Sequence, residues 1–82
     1  MSKRDKLLDR LRRRPTDFQW GELESLLRGF GYELEKGSGS RRKFYCAETQ
    51  ALICLHEPHP QSTLKMYQLD ELIQHLKERG LL

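Results

Sequence analysis

The chain has 82 residues, of which 37% are hydrophobic and 33% are charged, so it suits one small domain and is too apolar for general disorder. No apolar run approaches the roughly 20 residues that a membrane-spanning helix requires. The basic N-terminus lacks the apolar stretch of a secretory signal, and the formal net charge is +3 with two cysteines, so we expect a cytoplasmic protein with reduced thiols.

The N-terminal segment is strongly basic and helical in pattern. Residues 1–14 contain seven cations and two acids, and three leucines form the apolar stripe of a short helix that Pro15 ends. These leucines are Leu7, Leu8 and Leu11. Because about ten residues are marginal for an isolated helix, we expect this arm to dock on the rest of the chain or to fray. The predicted organisation is a basic helical arm over residues 1–15 and one domain over residues 16–82.

A second amphipathic helix follows the arm. Thr16 and Gln19 have the spacing of a capping box, which predicts that the helix begins there. Gly29 or Gly31 ends it. Its single apolar face consists of Trp20, Leu23, Leu26, Leu27 and Phe30.

Three short strands are predicted next, at residues 32–36, 41–47 and 51–55, with turns between them. In the second strand the alternation places Phe44 and Cys46 toward the core and Arg42 at the rim of that side. The opposite, open face should carry Glu33, Glu35, Arg41, Lys43 and Tyr45. The third segment is mostly apolar, which is typical of a central or covered strand.

The C-terminal part consists of a loop and a helix. Two prolines exclude the segment His56–Pro60 from a strand ladder, so we expect a loop there. A helical stripe follows, and Gly80 lies where a C-terminal capping glycine is expected. The stripe consists of Leu69, Leu72, Ile73 and Leu76. The predicted fold class is α+β in the order α-β-β-β-α, with a three-stranded antiparallel sheet, two helices on one of its faces and the helical arm in front.

The open face and its Gly/Ser turn are plausible elements of an RNA-binding surface. Arginine binds phosphate in a bidentate manner, Tyr45 offers a ring for base stacking, and backbone N–H groups in the turn can approach a phosphate. The alternative is an ordinary hairpin in which Glu33 and Glu35 pair with Arg41 and Lys43.

The two histidines of the HEPHP loop are candidates for proton transfer. RNA cleavage by the ribose 2′-hydroxyl needs a base, an acid and a cation, and histidine is suited to the first two roles. His56, His59, Arg41 and Lys65 can therefore form a ribonuclease group without a metal or cofactor. The alternatives are that both histidines are structural, or that they bind zinc together with Cys46 and Cys54, although the spacing matches no zinc motif and both cysteines are expected in the core, facing each other as thiols.

Several segments together resemble the HicA family of toxins, the small ribonucleases of HicA/HicB toxin–antitoxin modules. They are the helix leading into GFGYEL, the turn GSRRKF, the loop HEPHP and the closing helix LKMYQLDELIQHLKERGLL, over roughly residues 16–82. The resemblance implies a fold similar to double-stranded-RNA-binding domains, metal-independent cleavage of mRNA, and inhibition by a HicB-like antitoxin.

One position departs from the family's pattern. The family motif is Gly-Ser-His with an aromatic residue after two intervening residues, and its histidine is catalytic. This chain has Gly39, Ser40 and Arg41 at these positions, with Phe44 at the aromatic position. Either His59 or His56 carries out the proton transfer, or the protein binds RNA without efficient cleavage. A protein-interaction module with a basic face is the third possibility. The expected RNA-binding residues are Gly39, Ser40, Arg41, Arg42, Lys43, Tyr45 and Lys65.

Overall fold

The computed structural model describes residues 2–82 and confirms the α+β fold in the order α-β-β-β-α behind an N-terminal helix. The elements are α1 (Lys3–Arg12), α2 (Trp20–Gly29), β1 (Glu33–Lys36), β2 (Arg41–Cys46), β3 (Ala51–His56) and α3 (Met66–Glu78). The three strands form one antiparallel sheet in the order β1-β2-β3. Within the described residues, no helix is long and apolar enough to cross a membrane.

The hydrophobic core lies between one face of the sheet and the helices. Phe44 of β2, Leu26 of α2 and Leu72 of α3 are fully buried in one cluster, and the rings of Trp20 and Phe44 are 5.7 Å apart. The C-terminus of α3 is capped as predicted, because Gly80 has a φ of 72° and the N–H of Leu81 donates to the carbonyl of Leu76. The opposite face of the sheet is left open.

Helix α1 docks on α2 and does not fray. Leu11 is fully buried in the shared core, and the side chain of Arg4 donates to the carbonyl of Gly29 at 3.0 Å and lies over the ring of Phe30. Beyond the helix, Arg14 forms an ion pair with Asp70 of α3 at 2.7 Å. The arm is thus attached to both main helices, while the domain boundary at residue 15 remains a prediction.

The predicted start of α2 at Thr16 is wrong, because Gln19 is the N-cap residue. The N–H of Gln19 donates to the side chain of Glu22 at 3.0 Å, and Gln19 forms a β-bridge with Thr63. The extended backbone needed for that bridge keeps residues 16–18 out of the helix, and the helix begins at Trp20.

The register of β2 and β3 corrects the prediction for the cysteines. Cys46 pairs with Ala51 and is buried, whereas Cys54 pairs with Lys43 and is exposed on the open face, so the two thiols do not face each other. The turn between the strands has four residues, 47–50, and this length aligns odd-numbered residues of β3 with even-numbered residues of β2. Both cysteines are free thiols, as expected, but only Cys46 lies in the core.

Strand β3 is an edge strand, not the central or covered strand that its composition predicted. Its residues alternate between buried and exposed, and Leu52 is 45% exposed. The N–H of Glu57 donates to the carbonyl of Ser40, so the odd-numbered residues of this strand direct their backbone N–H and C=O groups toward β2. The backbone groups of the even-numbered residues Leu52 and Cys54 therefore point away from β2, toward the free edge.

Candidate nucleic-acid interface

The open face of the sheet carries the five side chains that the alternation predicted. They form cross-strand rows, with Glu33 beside Tyr45, Glu35 beside Lys43, and Arg41 near the turn. Strand β3 adds Leu52, Cys54 and His56 to the same face. The cations therefore gather at the end of the sheet near the Gly/Ser turn, and Tyr45 and Leu52 form an apolar area at the other end.

The acidic residues of the open face do not neutralise its cations by direct pairing. Among the ion pairs of the described residues, none joins Glu33 or Glu35 to Arg41 or Lys43. This observation weighs against the ordinary-hairpin alternative, in which these four side chains pair. Arg41 and Lys43 thus keep their donors available to an anion.

The Gly/Ser turn is built by its own backbone and by Arg42. Gly39 has a φ of 59°, which favours glycine, and the N–H of Arg41 donates to the carbonyl of Ser38 at 3.1 Å. Arg42 lies at the rim of the core side, as predicted, with its side chain 15% exposed. Its guanidinium group donates to the side chain of Glu57 and to the carbonyl of Gly39. Arg42 is thus separated from Arg41 and Lys43 and joins the turn to the HEPHP loop.

His56 belongs to β3 and lies directly opposite Arg41. The prediction that His56 is a loop residue is therefore wrong, because the prolines act only after it. Directly opposed residues of antiparallel strands have Cβ atoms about 4.5–5.5 Å apart on the same face. The imidazole of His56 thus lies beside the position where the family motif has its histidine.

Two further contacts orient His56. The hydroxyl of Ser40 lies 3.2 Å from Nδ1, and which of the two donates depends on the tautomer of the ring. The side-chain amide of Gln68 donates to the backbone carbonyl of His56 at 2.7 Å. Gln68 also accepts from the N–H of Lys65, which caps α3. Within the described residues Nε2 of His56 has no hydrogen-bond partner, so it can exchange a proton with a bound ligand.

His59 and Lys65 lie on the other side of His56, along a groove between the HEPHP loop and the start of α3. Both side chains are exposed, and Ser40 and His56 line the same groove. A second concavity, on the open face, is lined by Arg41, Lys43 and again His56. His56 is therefore the residue shared by the two concavities.

The four residues considered for zinc do not converge. Cys46 is buried on the core side of the sheet, while Cys54 and His56 are on the open face and His59 is in the loop. In the part of the chain that the structure describes, no group of three or more histidines, cysteines or acids is placed to hold a metal ion. The sheet itself separates the ligands of the zinc alternative.

Sequence reasoning missed Gln68 and Tyr67. Gln68 is 3% exposed and is a buried polar side chain, at a position that a helical stripe of leucines does not reveal. Its signal was its place three residues after the N-cap, where Glu and Gln are typical of a capping box. Helical periodicity does not identify Tyr67, because this residue lies outside the apolar stripe. It nevertheless lines the groove beside His56 and His59.

The third histidine, His75, is partly buried. The hydroxyl of Tyr32 lies 2.7 Å from its Nε2. Burial lowers the pKa of His75, and the positive charge of Arg79 acts in the same direction. His75 lies on α3, on the core side of the sheet, away from the cations of the open face.

A family model described as the HicA toxin of bacterial toxin-antitoxin matches residues 20–81. Searches of curated proteins and of solved structures gave no significant match. The matched region contains α2, the whole sheet, the HEPHP loop and α3, which is well over half of the chain. The chain therefore belongs to the HicA toxin family of bacterial toxin–antitoxin systems.

Proposed function

We propose that this protein is an mRNA-cleaving toxin that acts without a metal and uses His56 in place of the family's histidine. The observation that supports this proposal is the cross-strand pair of Arg41 and His56. An arginine cannot act as a base near neutral pH, because its guanidinium group stays charged. Its neighbour on the same face supplies an imidazole at almost the same place.

The proposed reaction is attack of the ribose 2′-hydroxyl on the adjacent phosphate. His56 removes the proton of the 2′-hydroxyl, the new bond from the 2′-oxygen to phosphorus forms, and the bond to the 5′-oxygen breaks. His59, which lines the same groove, donates a proton to the departing 5′-oxygen. The products are a 2′,3′-cyclic phosphate and a 5′-hydroxyl, with no change in oxidation state.

The cations of the open face hold the substrate and offset the charge that develops on phosphorus. Arg41 and Lys43 present unpaired side chains next to His56, and Lys65 lies beyond it in the groove. Gly39 and Ser40 bring backbone groups close to the phosphate, and Tyr45 offers its ring. Arg42 contributes by holding the turn, since its Nε and Nη1 donate within the protein.

A HicB-like antitoxin is the proposed protein partner, acting in the cytoplasm where the mRNA is. An acidic surface of the antitoxin that covers Arg41 and Lys43 excludes RNA both by charge and by occupying the site. All residues of the proposed RNA cleavage belong to this chain. The antitoxin is therefore proposed as an inhibitor and not as a part of the catalytic site.

Induction in cells tests the proposal. We expect the wild-type protein to arrest growth and deplete mRNA, and His56→Ala to lower cleavage by about 10²–10⁴-fold, the usual contribution of a general base. His59→Ala should also lower cleavage, and Gln74→Ala, an exposed neutral change on α3 outside both concavities, serves as the matched control. Thermal unfolding of each variant separates loss of chemistry from loss of fold.

Two outcomes contradict the proposal in different ways. Unchanged growth and intact mRNA on wild-type induction contradict the toxin function. Full activity of His56→Ala contradicts only the assignment of His56. The second candidate function is RNA binding without cleavage, which Arg41 favours, and purified protein that binds RNA and leaves it intact in a chelator-containing buffer would support it.

A further inference from the structure

The groove between the HEPHP loop and the start of α3 contains an aromatic side chain that the proposed chemistry does not use. Tyr67 lines this groove together with His56, His59 and Lys65. It is 57% exposed, the most exposed large hydrophobic side chain among the described residues. Burial in the core does not explain an aromatic ring at this position.

The backbone of Tyr67 belongs to the first turn of α3, which contacts β3. Tyr67 is the second residue of α3, between Met66, which packs against the core, and Gln68, which is buried. Gln68 joins this helix start to the carbonyl of His56. The position of the Tyr67 backbone relative to His56 is therefore fixed by one short chain of contacts.

We propose that this groove is a nucleotide-binding subsite, in which Tyr67 stacks on a base of single-stranded RNA and Lys65 binds the phosphate of that nucleotide. The proposal rests on the proposed function and specifies where the RNA continues past His56. Base stacking on an exposed aromatic ring next to a cation is the common mode of single-strand recognition.

The two concavities define the path of the RNA. His56 lines both, so a strand whose phosphate contacts Arg41 and Lys43 on the open face reaches the groove after passing His56. A base must leave its neighbours to enter the groove and stack on Tyr67, which a base inside a duplex cannot do without unpairing. The subsite therefore selects single-stranded or unpaired segments.

The acidic residue of the groove does not oppose this path. Glu57 lines the groove, but its carboxylate accepts from the guanidinium group of Arg42 at 3.1 Å. Lys65 has no ion-pair partner within the described residues. The charge in this part of the groove is therefore favourable to a phosphate.

Binding of an uncleavable RNA tests the subsite. The probe is a short single strand with 2′-O-methyl groups, which cannot attack the phosphate, and the readout is Kd by fluorescence anisotropy. We expect Tyr67→Ala to weaken binding about tenfold, as is typical when one base-stacking interaction is removed, and Tyr67→Phe to keep wild-type affinity. Gln74→Ala, an exposed neutral change on the same helix outside this groove, is the matched control.

Abasic scanning gives a readout that a general loss of structure does not reproduce. Removal of one base from the probe, at the position that occupies the groove, should weaken wild-type binding and leave the Kd of Tyr67→Ala unchanged. Wild-type binding of RNA that Tyr67→Ala does not weaken overturns the subsite and leaves the proposed function standing. Failure of the wild-type protein to bind any RNA overturns the proposed function, and the subsite with it.

Discussion

The protonation of His75, which contacts Tyr32, depends on its burial in the fold. The two side chains join the end of α2 to α3 by a hydrogen bond of 2.7 Å, and their rings meet edge to face. Burial lowers the pKa of His75 and raises the pKa of Tyr32. The neutral imidazole is therefore the form that fits the native structure.

Stability should fall when the solution becomes acidic enough to charge this imidazole. In the unfolded chain a histidine has a pKa of about 6.5, so the unfolded state binds the proton first as the pH drops. We expect the free energy of unfolding to decrease as the pH falls from 7.5 to 5.5. The decrease should stop once the pH is below the lowered pKa of His75 in the folded state. Urea unfolding at these pH values checks this, with His75→Gln as the variant that cannot titrate.

The difference in stability between the wild type and His75→Gln should shrink as the pH falls over this range. The lowered pKa values of Glu22 and Asp70, each caused first by a hydrogen bond from an arginine, keep those carboxylates outside the window. Parallel pH profiles for the two proteins would show that His75 does not contribute.

Alternation along β2 was enough to predict Arg41, Lys43 and Tyr45 on the open face. It was not enough to identify the residue opposite Arg41, because that depends on the length of the turn after β2 and on where β3 ends. Neither quantity follows from the prolines of HEPHP. The error about Cys54 has the same origin, since a shift of one residue moves every side chain of a strand to the other face.

At the scale of elements, α1 packs into the same hydrophobic core as the other helices. Its leucines join the same core cluster as α2 and α3, and Arg10 donates to the carboxylates of Asp17 and Glu22. Periodicity predicted the helix but not its docking site, because a stripe of three leucines does not specify its partner. The same limit applies to the start of α2, where Gln19 bridges to Thr63, 44 residues away, and the capping box is formed by Gln19 and Glu22 instead of Thr16 and Gln19.

Truncation of Leu11 should therefore destabilise the whole domain and not the arm alone. Leu11 is fully buried, and Leu→Ala at such sites costs about 2–5 kcal/mol of unfolding free energy. The exposed neighbour provides the control Arg12→Ala, which should change stability by about 0.5 kcal/mol or less. Urea unfolding of both variants measures the difference. Equal stabilities would mean that α1 unfolds independently of the core.

At the scale of the whole molecule, charge is distributed by face. On the open face Arg41 and Lys43 lie near the turn without an ion-pair partner within the described residues, whereas on the helical side Arg10, Arg14 and Arg28 form ion pairs with acids. A net charge of +3 alone does not reveal this separation. The strand register places Arg41 and Lys43 at one end of the open face, which makes a basic area beside the Gly/Ser turn.

The salt dependence of RNA binding should show whether the cations of this area contact phosphates. Removing one phosphate-binding cation lowers the slope of log K against log salt by about 0.7 for a single strand. We expect Lys43→Gln to lower the slope by about that amount and Lys77→Gln, an exposed change on α3, to leave it unaltered. Titrations of a 2′-O-methyl RNA at several salt concentrations provide the measurement. Equal slopes for the two variants would mean that the open face does not bind phosphate.

The free edge of β3 has a consequence for colloidal behaviour. From Ala51 to Leu55 this edge strand has neither a charged residue nor a proline, the two features that usually prevent one sheet from pairing with another. Its outward backbone groups and the exposed Leu52 can add a strand from a second molecule. We therefore expect Leu52→Lys to raise the concentration at which the protein stays monodisperse, which light scattering measures.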